Sequence, residues 1–213
     1  DSDFSAPTFI AMDPPKHDEQ RKAVQGVVAP PNLKELEGTI RSRAGDILDD
    51  LPLNKTFDWV DTVSIELTTQ MLATLFDFPY NDRRKLTRWS DVVFARLGER
   101  VIESDEQRIN ELLECLDYFS KLWKERENDP SGNDFVSMMI RGDATRNLSP
   151  QEYLGNILLL IVGGNDTTRN SISGGVLALN QHQGEYQKLR ENPALIPNMV
   201  SEGSVQVVKD IKN

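Results

Sequence analysis

Apolar residues recur along this chain three and four positions apart, the interval that lines them up on one face of an α-helix. Leu33, Leu36, Ile40, Ala44, Ile47, Leu48 and Leu51 follow that rule after Pro30-Pro31-Asn32, and Pro52 ends the run. Trp59, Val60, Val63, Leu67, Met71, Leu72, Leu75 and Phe76 form a broader face and predict a helix over 57–76. A turn at Pro79-Tyr80-Asn81-Asp82 precedes two amphipathic stretches, Arg83 to Arg100 and Ser104 to Glu127, the second with Ile109, Leu112, Leu116, Phe119 and Leu122 as its seam. Shorter helices are expected after Asp13-Pro14-Pro15, through Phe135 to Ile140, from Tyr186 to Glu191 and from Pro193 to about Glu202. No stretch alternates with the period of two that a half-buried strand requires, so the fold class is mainly α.

One segment breaks the amphipathic rule. From Ser149, its expected cap, to Leu179 the chain reads as a single helix apolar on nearly every side, as a helix buried through the middle of a domain reads. Inside it, six aliphatic residues are followed by Gly163-Gly164-Asn165-Asp166-Thr167-Thr168. Each glycine in a helix interior costs about 0.8–1.0 kcal/mol relative to alanine, so something must offset the pair. On a structural reading the glycines admit a neighbouring helix and the polar residues cap a second one. On a functional reading they leave room for a large flat ligand against the backbone. The Thr167 hydroxyl then takes the Gly163 carbonyl, four residues earlier, and presents an alcohol and an acid to that ligand.

Composition narrows the classes. The 213 residues suffice for one good-sized core, and 38% hydrophobic with 27% charged residues is ordinary for a globular chain. A net charge of -10 argues against a general affinity for nucleic acid or anionic lipid. The single cysteine, Cys115, excludes a disulfide framework, and within Leu112-Leu113-Glu114-Cys115-Leu116 it reads as a buried, inert thiol. The apolar run Ile157 to Val162 is far too short to span a bilayer, and Asp1-Ser2-Asp3-Phe4 is no signal peptide, so a cytoplasmic location is expected. Phosphate binding at Gly163-Gly164 lacks the Gly-Lys-Ser/Thr that a P-loop needs.

Gly163-Gly164-Asn165-Asp166-Thr167-Thr168 resembles the oxygen-activating helix of the cytochrome P-450 family, the haem-thiolate monooxygenases, whose pattern is Ala/Gly-Gly-x-Asp/Glu-Thr-Thr/Ser. The resemblance implies the central part of that fold, with helices packed around a long buried central helix, over residues 1–202, and an atypical tail at 203–213. It implies that Asp166 and Thr167 steer protons to iron-bound dioxygen, that Gly163 and Gly164 face the porphyrin, and that His17 and Arg21, four apart on one helix face, clamp the haem propionates. By the same resemblance the helices at 83–100 and 104–127 form a mobile lid. Phe9-Ile10-Ala11-Met12-Asp13-Pro14-Pro15, Phe57-Asp58-Trp59-Val60 and Leu75-Phe76-Asp77-Phe78-Pro79 look like the bacterial subgroup that hydroxylates the terminal carbon of alkanes and related chains. Leu159 and Val162 would then line the substrate side, with Phe4, Phe9 and Ile10 as further candidates. A ferredoxin-type electron donor is implied, with Lys16, Lys22 and Lys34 as docking charges. One departure matters: the family's Phe-x-x-Gly-x-x-x-Cys-x-Gly loop does not surround Cys115, and Glu-x-x-Arg does not follow Met199-Val200-Ser201. The expectation is therefore a partial monooxygenase chain without its thiolate ligand, and the rival is a non-catalytic helical fragment or binding module.

Overall fold

The computed structural model of the chain describes residues 6–98 and 101–201. Phe4, Arg100 and the tail at 203–213, all used in the sequence reading, lie outside the described residues. Helix α1 spans Lys16–Val24, α2 Pro30–Asp49, α3 Glu66–Leu75, α4 Arg84–Phe94, α5 Asp105–Arg126, α6 Phe135–Arg141, α7 Pro150–Gln181 and α8 Gln183–Glu191. Among the described residues there is no strand, only an isolated bridge between Leu97 and Ile102.

The long helix α7 is the hub, with α3, α4 and α5 packed along it. It starts where its sequence dictates. Ser149 Oγ accepts from the Glu152 backbone N–H at 3.3 Å while the Ser149 N–H donates to Glu152 Oε2 at 3.1 Å, a reciprocal capping box. The core gathers Leu72, Phe76, Trp89, Phe119, Met139, Leu154, Ile157 and Ile161. Phe119 meets Phe76 edge-on, their ring centres 5.2 Å apart, in the arrangement that aromatic quadrupoles favour. Arg126 closes the base of this core. Its Nη1 donates to the Phe76 carbonyl at 2.9 Å and to Asp134 Oδ1 at 2.8 Å, and the same Asp134 caps α6 through the Ser137 N–H.

Three features differ from the periodic pattern. The 57–76 segment opens on a π-helical turn, Val60–Ile65, before α3 proper. At the junction, the Thr68 and Thr69 hydroxyls bond back to the Ser64 and Ile65 carbonyls at 2.9 Å and 2.5 Å, occupying acceptors of the widened turn. The helix expected to run to Arg100 ends instead at Phe94. Ala95 turns extended, Arg108 Nη2 of α5 takes its carbonyl at 2.5 Å, and Gly98 adopts φ 78, a conformation that only glycine enters without strain. Finally, α7 is not buried throughout. Its first half supplies nearly all its buried residues, Tyr153 to Leu158 and Ile161, whereas Val176 and Leu177 are exposed.

Candidate functional site

Two stretches of α7 are built differently. At Tyr153-Leu154-Gly155-Asn156 the lead segment crosses the helix so closely that a Cβ on Gly155 would sit 2.1 Å from the Pro7 carbonyl oxygen. Only glycine admits that approach. The neighbouring Asn156, 1% exposed, holds both the segment and α1: its Oδ1 accepts from the Phe9 N–H at 2.9 Å, and its Nδ2 donates to Gln20 Oε1 at 2.9 Å. One turn earlier Glu152 receives Lys16 Nζ at 2.9 Å. Lys16 and Gln20 are four apart on α1, and Glu152 and Asn156 are four apart on α7, so the two helices meet along matching faces. The Lys16 hydrogen bond, with further bonds from Ser149, holds the Glu152 carboxyl below its ordinary pKa.

Gly163 lies two turns beyond Asn156 on the same face, and Leu159, Gly163, Asp166 and Thr167 follow at the i, i+4, i+7, i+8 spacing of a single face. Here no described residue covers the backbone: a Cβ on Gly163 would find no atom within 4 Å, and the residue is exposed. Gly164 points elsewhere. A Cβ there would come within 2.7 Å of Leu72 Cδ2, so its smallness serves the packing of α7 on α3. Gly164 thus admits a neighbouring helix, and Gly163 leaves its stretch of backbone uncovered by any described residue.

The Thr167 hydroxyl donates to the Gly163 carbonyl at 3.1 Å as the four-residue spacing predicts, and the α-helix continues through it. Asp166 is partly exposed, and its Oδ1 pairs with Arg169 Nη2; Arg169 Nη1 reaches Asp91 Oδ1 on α4 at 3.1 Å. Leu159 and Val162 are both half-buried, Leu159 packed against the core. On α1, the His17 ring tilts toward Phe9, centres 6.3 Å apart, and its Nδ1 contacts Asp18 Oδ1 at 2.7 Å. Arg21 is exposed with no hydrogen-bond or ion-pair partner among the described residues. Phe9 belongs to the buried core, while Ile10 is exposed. Of the three lysines, Lys16 is engaged by Glu152, and Lys22 and Lys34 are exposed.

Cys115 is fully buried in α5, and burial pushes its thiol well above the usual cysteine pKa. It is neither open to a metal nor ionised, and no cluster of metal-binding side chains exists among the described residues. Residues that the sequence reading passed over, Gly155, Asn156, Gln20, Asp91 and Arg169, define the surroundings of the ones it chose.

No family model matches the chain. Curated relatives do: linalool 8-monooxygenase of Pseudomonas putida is 29% identical over 195 residues, covering 91% of this chain and 48% of the relative. Steroid C26-monooxygenase of Mycolicibacterium smegmatis is 33% identical over 186 residues, 87% of this chain and 43% of that protein. The chain thus spans about half the length of the curated relatives it matches. Among solved structures, cytochrome P450-153 from Novosphingobium aromaticivorans superposes with a TM-score of 0.83 at 44% identity, covering 93% of this chain and 48% of that one. CYP153D17 from Sphingomonas sp. PAMC 26605 gives 0.84 at 45% identity, over 95% and 50% of the two chains. No helix among the described residues is long and apolar enough to cross a membrane. With the Gly163-Gly164-x-Asp166-Thr167 turn on a hub helix, and with these relatives and folds alike, the chain belongs to the cytochrome P450 family.

Proposed function

We propose that this chain is the distal part of a haem monooxygenase that hydroxylates the terminal carbon of a medium-length aliphatic substrate. The observation that carries the proposal is the bare backbone at Gly163, with Leu159, Asp166 and Thr167 along the same face of α7. Support for a flat ligand there is that no described atom lies within 4 Å of a Cβ at Gly163, and that the face is the one on which α1 docks two turns earlier. Arg21, whose guanidinium has no partner among the described residues, and His17 are the groups for a pair of carboxylates at the ligand's edge. Haem, when bound, supplies the iron at which dioxygen is activated.

The protein's own residues supply the protons. Thr167 spends its hydroxyl proton on the Gly163 carbonyl, which leaves the lone pairs of Oγ1 to accept a bond from the open side. The Asp166 carboxylate, its side chain 30% exposed, exchanges protons with solvent one residue away. Leu159 and Val162 present an apolar wall, which suits an alkane-like chain and offers nothing to a charged one. Support for the substrate class comes from likeness to the CYP153 structures, and linalool and steroid C26 oxidation by the relatives suits the same apolar chemistry. A ferredoxin-type donor would meet Lys22 and Lys34, and a cytoplasmic setting suits the single unpaired cysteine.

The proposal concerns a protein that presents a cysteine loop together with this chain, since Cys115 is sealed. The sealed thiol also favours a second reading, for the chain alone: a non-catalytic helical fragment or binding module without haem. The test is the thiolate Soret band of the reduced, carbon-monoxide-bound protein carrying the loop; a haem-loaded protein without that band overturns the monooxygenase reading. In the same protein Thr167→Ala is expected to retain haem and divert most electrons from hydroxylation to hydrogen peroxide. Unchanged coupling would remove Thr167 from the proton path.

A further inference from the structure

Arg169 lies outside the glycine–acid–alcohol motif, yet it is the cation most intimately bound to it. Its guanidinium, 15% exposed, bridges two carboxylates on different helices: Oδ1 of Asp166, three residues earlier on α7, and Oδ1 of Asp91 on α4 at 3.1 Å. A single i, i+3 ion pair on a helix surface contributes little to stability and needs no third partner. Here one positive charge is shared by two negative ones, so the group as a whole is anionic and each acid weakens the other's hold on Arg169. Arg88, one turn earlier on α4, also feels the Asp91 charge, and Glu111 of α5 already binds it. Asp166 uses only Oδ1 in this contact; its Oδ2 accepts no bond among the described residues.

From this geometry we infer that Arg169 is the positioning residue for Asp166, fixing Oδ1 so that Oδ2 exchanges the proton, and that Asp91 sets how tightly Arg169 holds. The inference rests on the monooxygenase reading for its functional meaning, and on the three-residue bridge for its structure. Arg169 and Asp91 have opposite effects. Without Arg169, Oδ1 of Asp166 loses its partner and the carboxylate is free to turn. Without the Asp91 charge, Arg169 is left wholly to Asp166 and holds the carboxylate more tightly. α4 therefore carries the charge that balances the proton donor of α7.

Two measurements test this. In the chain itself, the Arg169 Nη–H signals in proton–nitrogen NMR are expected to be resolved and slow to exchange with solvent, because Nη1 and Nη2 make the two bonds. They should survive in part in Asp91→Asn or Asp166→Asn alone and vanish into fast exchange only when both are changed; fast exchange in the unaltered chain overturns the bridge. In the haem-loaded protein carrying the cysteine loop, Arg169→Gln is expected to raise the solvent deuterium isotope effect on coupled turnover by about twofold, because proton transfer through an unheld Asp166 is slower, and Asp91→Asn to lower it. Arg169→Lys should restore most of the original value. Both variants moving it the same way, or neither moving it while the thiolate Soret band is intact, would show a structural brace and sink the positioning role. Loss of that band instead overturns the reading beneath it while leaving the NMR result standing.

Discussion

The two halves of α7 present the same face to different surroundings. Around Gly155 and Asn156 that face is sealed by the lead segment and α1, every buried amide group is paired, and a methyl group has no room. Around Gly163 and Thr167 no described residue covers it. Glycine serves opposite ends in the two stretches: Gly155 admits the lead segment, whereas a Cβ at Gly163 would meet no described atom within 4 Å.

The sealed half should respond most strongly to substitution. Asn156→Leu keeps the volume but strands the Phe9 N–H and the Gln20 Oε1, both buried, at about 1–3 kcal/mol for each. Urea unfolding should show a loss at the upper end of what single substitutions produce; a loss below about 1 kcal/mol would mean that the lead segment is not held there. A paired glycine experiment sharpens the contrast. Gly155→Ala should destabilise by about 1–3 kcal/mol, because backbone must move. Gly163→Ala should instead stabilise the ligand-free chain by up to about 1 kcal/mol through helix propensity, moving the melting temperature up by about 2–4 °C. Equal signs for the two would erase the distinction between the halves.

The smallest effect concerns pH. Glu152 is held below its ordinary value by Lys16 and by Ser149, so its contribution is present above the unfolded carboxyl pKa of about 4.3 and is lost as pH falls through the lower folded value. Both partners are partly exposed, which limits the gain to under about 1 kcal/mol. Glu152→Gln should therefore flatten the stability profile just below pH 4.3 and leave its slope near neutrality unaltered, as read by denaturant midpoints across that range.

Much of the architecture was legible because its causes are local. Ser149 and Glu152 declare the start of α7 by their spacing alone, and Thr167 and Gly163 declare their hydrogen bond in the same way. What escaped depends on partners far along the chain. Gly155 sits among aliphatic residues that read as helix whatever crosses them, and the bond from Phe9 to Asn156 joins positions 147 residues apart. Arg169 was invisible as a site residue because its second acid lies on α4, 78 residues earlier. Periodicity placed the helix at 83–100 correctly but not its end, since Arg108 draws the Ala95 carbonyl out of the helical ladder from another element.

The sealed sulfur of Cys115 has a use of its own. A thiol that is both unreachable and reluctant to ionise reacts with alkylating reagents only while the surrounding helices are apart. This protein therefore contains a chemical stopwatch at its centre: in native buffer, the rate at which that one atom is capped counts how often the interior breathes.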